Sequence, residues 1–131
     1  MKKAAFIFSP NQLQYKFSDT HPFNHKRLTL TMDLLKEIGA LKDEQIVPAR
    51  IATEDELALA HDRTYIDIVK KAGHGELKPE QCETYGIGTE DTPIFKNMHE
   101  ASALLVGGTL QAVDEVLKGR AEHALNLGGG L

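Results

Sequence analysis

The chain has 131 residues, enough for one domain with a modest core, and its 41% hydrophobic and 26% charged residues are those of an ordinary globular protein. A net charge of -4 and a pI of about 5.8 give no basic stripe for nucleic acid, so no nucleic-acid partner is expected. The single cysteine, Cys82, excludes an intramolecular disulfide and suits a reducing compartment. The run Ala4 to Phe8 is too short for a signal-peptide core or a membrane span, so the expected setting is cytoplasmic, away from membranes.

Ala4 to Phe8, bounded by Ser9-Pro10-Asn11, reads as a first strand buried on both faces. Asn11 to Phe23 shows no period and reads as a loop. Asn24 can cap a helix that buries Leu28, Met32, Leu35 and Ile38 along one face, with Gly39 as its stop. Gln45 to Ile51 looks extended, and Pro48, lacking an N–H donor, makes it an edge or irregular strand. Thr53 and Glu56 have capping-box spacing for a short helix through Leu57 and Leu59. His61-Asp62-Arg63 interrupts or re-caps it, and a helix carrying Tyr65, Ile68, Val69 and Ala72 on one face ends at Gly73. Gly75 to Pro93 is a long polar loop, a length often associated with function.

Asn97 to Lys118 is the longest expected helix, with Met98, Ala101, Leu105, Ala112 and Val116 in its apolar stripe. Gly107 and Gly108 in its middle each cost about 0.8–1 kcal/mol relative to Ala, so close packing against a neighbouring backbone is expected there. Gly119 ends this helix, and Ala124 to Leu127 forms a third strand running into Gly128-Gly129-Gly130. Strands alternating with helices imply a parallel sheet with right-handed crossovers, an α/β fold within a single unit over 1–131. A strand that meets three glycines and then ends implies a truncated, partial domain.

The residues suited to chemistry are few. Six histidines, at 21, 25, 61, 74, 99 and 123, include one pair four apart, His21 and His25. Pro22 and the cap at Asn24 separate that pair, and there is no Asp-x-His and no second cysteine, so surface or capping roles are expected and no metal ligand is assigned. Cys82 has no neighbour that activates it, and Gly-x-Ser-x-Gly is absent; no catalytic residue is assigned. On the loop Gly86-Ile87-Gly88-Thr89-Glu90-Asp91-Thr92-Pro93 a carboxylate can accept hydrogen bonds from a substrate's backbone N–H groups. On chemistry alone the favoured role of Glu90 and Asp91 is instead to stabilise the positive end of the helix that follows. Arg27 reads as a surface residue of a first helical turn.

Several segments together resemble the histone deacetylase superfamily, most closely its bacterial acetoin-utilisation deacetylases. They are His21-Pro22-Phe23-Asn24-His25-Lys26-Arg27-Leu28, His61-Asp62-Arg63-Thr64-Tyr65-Ile66, Gly88 to Phe95, and the Gly107-Gly108-Thr109 helix followed by Ala124 to Leu131. The resemblance implies the amino-terminal portion of a three-layer α/β/α, arginase/deacetylase-like fold with about three strands present. It implies a zinc-dependent parent that hydrolyses acetyl-lysine or a small acetylated amine to acetate and amine. By the same resemblance Asp91 anchors the substrate backbone, while Arg27, Gly129 and Gly130 line the pocket. The family's zinc ligands, tandem histidines and tyrosine fall downstream, so no activity and no zinc are expected of this chain alone. A non-enzymatic binding or assembly module descended from such an enzyme is the alternative. In either case the open edge of the third strand implies pairing between copies, domain swapping or marginal solubility.

Overall fold

The computed structural model describes residues 1–129; Gly130 and Leu131 lie outside the described residues. Three parallel strands form the sheet in the order β2-β1-β3. They are β1 (Lys2–Ile7), β2 (Ile46–Val47) and β3 (Ala121–Asn126). β1 is central, with Phe6 opposite Ile46 on one side and Leu125 on the other. Only two residues of the extended segment 45–51 pair with β1, and Pro48 follows them at the sheet edge. β3 starts three residues earlier than its apolar run suggests, because Lys2 lies in register with Ala121.

Five helices complete the described chain: α1 (Lys26–Glu37), α2 (Glu54–Leu57), α3 (Arg63–Gly73), α4 (Pro79–Glu83) and α5 (Met98–Leu117). Local chemistry sets their starts. The Lys26 N–H donates to Asn24 Oδ1 (2.9 Å), Glu56 N to Thr53 Oγ1 (3.2 Å), and Thr64 N to Asp62 Oδ1 (2.7 Å). Thr53 N also donates to Glu56 Oε2 (2.8 Å), closing the expected capping box. α2 ends at Leu57, leaving Leu59 89% exposed. α3 has Gly73 as its last residue, where the sequence placed the stop, but the left-handed residue is Gly75. Gly73 is small for a different reason: it lies against Met98, whose N would be 2.9 Å from an added Cβ. Within 75–93, α4 buries Cys82, and within 11–23 a 3-10 turn (Pro10–Gln14) buries Gln12.

α5 covers one face of the sheet, where Ala112 packs with Ala5, Ile7 and Ala121. The opposite face holds Phe6, buried, and Leu125, 48% exposed. A second core joins Ala72, Cys82, Ile87 and Met98 between α3, α4 and α5. The two mid-helix glycines of α5 fulfil the packing expectation: a Cβ on Gly107 would lie 1.8 Å from the Arg50 carbonyl oxygen, and one on Gly108 2.9 Å from both Asn126 Oδ1 and Gln12 Nε2. Val116 departs from the expected stripe at 41% exposed. α1 departs further: Leu28, Met32 and Leu35 are half-buried and Ile38 is 66% exposed, so the predicted face has the right period without full cover. Among the described residues no helix is long and apolar enough to cross a membrane.

Candidate functional site

In a parallel sheet the loops that follow the strands' carboxyl ends gather on one edge, the usual place for a site in open α/β folds. Here a buried polar seam ties those ends together. Gln12, just past β1, donates from Nε2 to Asn126 Oδ1 (3.1 Å) at the end of β3. Gln12 Oε1 accepts from Ser9 N (2.9 Å), and Ser9 Oγ accepts from Ala49 N (2.9 Å), just past β2. Asn126 Nδ2 donates to the Leu105 carbonyl (3.2 Å), Thr109 Oγ1 (3.0 Å) and the Gly128 carbonyl (3.2 Å). Of the two described glycines of the terminal run Gly128 is tightly held, since a Cβ there would stand 2.6 Å from Leu105 Cδ2. Gly129 is exposed with open space around it, and Gly130 lies outside the described residues.

Beyond the 3-10 turn an aromatic cluster packs the segment 15–23 against Phe95. Tyr15 and Phe17 each meet the Phe95 ring edge-on, at 5.4 and 5.5 Å, and each also meets Phe23. Arg27, in the first turn of α1, lays its guanidinium 4.4 Å from the Phe23 ring centroid and donates from Nε to the Asn24 carbonyl (3.2 Å). Phe23 N in turn donates to His21 Nδ1 (3.1 Å), and His21 Nε2 lies 3.1 Å from the Asp91 carbonyl oxygen. A continuous run of contacts therefore connects Arg27 to the Asp91 loop. No such contact brings Gly129 to either residue among the described residues.

Asp91 is exposed, and its carboxylate makes no hydrogen bond or ion pair among the described residues. The helix-end role open to it in the sequence is not realised: α5 begins at Met98, Asn97 stands at its cap, and Glu100 is the acid of its first turn. The loop is closed on itself by Gly88 N to the Thr92 carbonyl (3.1 Å) and Thr92 N to Thr89 Oγ1 (3.1 Å). Its inner side, Gly86, Ile87, Thr92 and Pro93, walls a cleft of about 320 Å³ whose other lining includes Tyr15, Phe17, His61, Tyr65 and His99. Burial holds the His99 imidazole below its ordinary value, favouring the neutral form.

The histidines do not form a metal site. His21 lies in a loop and His25 at the helix start, and among the described residues no group of three or more His, Cys, Asp and Glu converges. The described residues therefore do not fit zinc, and no step through a metal is derived from them. Sequence reasoning passed over Gln12 and Asn126 and weighed His21 only as a metal ligand. The burial of Gln12 and the clasp made by His21 depend on partners 114 and 70 residues away, which leave no local signal.

The crystal structure of an HDAC homologue from Aquifex aeolicus superposes with a TM-score of 0.85 at 29% identity, over 98% of this chain and 34% of that one. An HDAC homologue crystallised with SAHA gives the same values. The HD domain of HDA15 (TM-score 0.73, 20% identity, 95% of this chain and 34% of that one) shares the fold. The parallel α/β architecture is thus of the deacetylase type. The histone deacetylase domain matches residues 21–131, and the chain belongs to that family. It is 56% identical to the acetoin utilization protein AcuC of Bacillus subtilis (strain 168) over all 131 residues, and 44% identical to AcuC of Staphylococcus aureus (strain MRSA252) over the same length. In each case it covers 100% of this chain and 34% of the relative, so it spans about a third of the length of these curated relatives.

Proposed function

We propose that this chain is the amino-terminal third of a zinc-dependent deacetylase that hydrolyses acetyl-lysine or a related acetylated amine to acetate and the free amine. The family match over residues 21–131 carries this reading, and the SAHA complex of an HDAC homologue supports an acetylated substrate. Within that enzyme Asp91 accepts hydrogen bonds from the substrate's backbone N–H groups. Its carboxylate, exposed and unengaged among the described residues, is free to do so. Arg27 and the glycines at 129 and 130 form part of the pocket wall. Zinc, the general base and the oxyanion donor belong to the rest of the enzyme, so this chain alone releases no acetate and holds no stoichiometric zinc. A cytoplasmic setting accords with the free, buried thiol of Cys82.

The test is acetate release from an Nε-acetyl-lysine peptide by the full-length enzyme and its D91A variant. A charged acceptor lost from the substrate grip raises KM about 10- to 100-fold. Wild-type KM in D91A removes Asp91 from the grip, and absence of zinc-dependent acetate release removes the enzyme reading. One observation favours a second reading, a non-enzymatic assembly module: β3 lies at the sheet edge with Leu125 48% exposed. Under it, an inactive protein would self-associate with rising concentration in sedimentation.

A further inference from the structure

The loop that carries Asp91 is held from outside by an imidazole, and the geometry leaves that imidazole one protonation pattern. A backbone N–H only donates, so His21 Nδ1, 3.1 Å from Phe23 N, carries the lone pair. The ring hydrogen is then on Nε2, which faces the Asp91 carbonyl oxygen at 3.1 Å, a group that only accepts. These two contacts select a single neutral tautomer and a single ring orientation. The ring also packs against Phe17 in a tilted arrangement, with the centroids 4.6 Å apart. Phe17 touches Phe95 edge-on at 5.5 Å, four residues beyond Asp91. One short segment, 17–23, thus secures the loop at Asp91 itself and again past its end.

We propose that His21 is a positioning residue for substrate: its Nε2–H donates to the Asp91 main chain and aims the otherwise unheld carboxylate at the substrate backbone. The proposal rests on the reading of Asp91 as substrate acceptor. His21 touches no reacting atom, so its removal acts on binding of substrate and leaves turnover unchanged. It also acts only through the Asp91 side chain.

The experiment measures KM and kcat of the full-length enzyme on an Nε-acetyl-lysine peptide for H21F, H21Q, D91A and the H21F/D91A double variant. Phe keeps the ring packing and loses both nitrogens; H21F raises KM about three- to tenfold, the worth of one hydrogen bond, with kcat unchanged. Gln reaches far enough to place an amide N–H where Nε2–H stands, and H21Q returns KM toward wild type. In the D91A background H21F adds nothing further, an outcome that loop unfolding alone would not produce. Should H21F not fold, H21N replaces it, since Asn keeps the acceptor for Phe23 N–H and is too short to reach Asp91. Wild-type KM in H21F or H21N, H21Q no better than H21F, or additive effects in the double variant would each overturn the clasp. D91A with wild-type KM overturns the substrate role of Asp91 instead, so the two failures are distinguishable.

Discussion

Replacing Gly107 by Ala tests whether α5 and the segment after β2 are in backbone contact. Ala is the better helix former by about 1 kcal/mol, so propensity alone makes Gly107→Ala stabilising. The structure reverses the sign. The added Cβ would stand 1.8 Å from the Arg50 carbonyl oxygen and 2.7 Å from Ala52 N. An ordinary carbon–oxygen contact is about 3.3 Å, so the two backbones must separate by about 1.5 Å. Neither side yields cheaply. Ala52 N donates to the Ala103 carbonyl of α5 (2.9 Å), and Arg50 is anchored by two bonds to Glu56, at 2.8 and 2.7 Å. Overpacking of this kind costs about 1–3 kcal/mol, and a strained or lost hydrogen bond adds about 1 kcal/mol. Against the propensity gain, G107A is destabilised by about 1–3 kcal/mol, read as a lower urea midpoint at unchanged slope. The control is V113A on the exposed side of the same helix, which stays within about 0.5 kcal/mol of wild type. A G107A protein as stable as wild type would refute the close approach.

Two further outcomes follow from the polar contacts. The Arg50 guanidinium, then the Thr53 backbone N–H, hold the Glu56 carboxyl down to about 2 from an ordinary 4.5. Because the folded value is the lower, this stabilisation is whole above about pH 4.5 and is lost as pH falls from there through 2, so E56Q shows a flatter stability–pH slope in that window; matching slopes would exclude the pair. Gln12→Ala leaves Ser9 N and Asn126 Oδ1 without their partners in a buried seam and costs about 1–3 kcal/mol in urea unfolding, with faster amide exchange in the Gly128 segment. A cost near zero would mean that the seam is solvated.

What the chain announces in advance is what neighbouring residues decide between themselves. Thr53 and Asp62 cap their helices, α3 and α5 keep the 3.6-residue period, and Gly39 and Gly119 take up positive φ just past their helices. The misses are all non-local. Ala121-Glu122-His123 does not look like a strand until it is laid beside β1, where Ala4 faces His123. Gly73 does end α3, but it is small because Met98 of α5 packs on it, while the positive φ past the helix falls at Gly75. α1 shows the converse error. Its period is sound, yet of the predicted face Leu28, Met32 and Leu35 are only half-buried and Ile38 is 66% exposed, because amphipathicity records a preference for cover and not the cover itself.

The site divides along the same line. The motif resemblance named Asp91 and Arg27, and no reading of spacing could have joined them, since 64 residues separate the two in the numbering. The link is a histidine whose spacing from His25 suggested only a metal pair, to be set aside. Its working partners are a backbone N–H two residues on and a carbonyl 70 residues on, and together they determine which nitrogen holds the proton. A residue type states what chemistry a position can perform; its hydrogen-bond partners state which of those options is in use. For His21 that accounting shows both ring nitrogens engaged, one with a backbone N–H and one with a carbonyl. Zinc added to this chain therefore has to break the Phe23 or Asp91 contact before it can bind at His21.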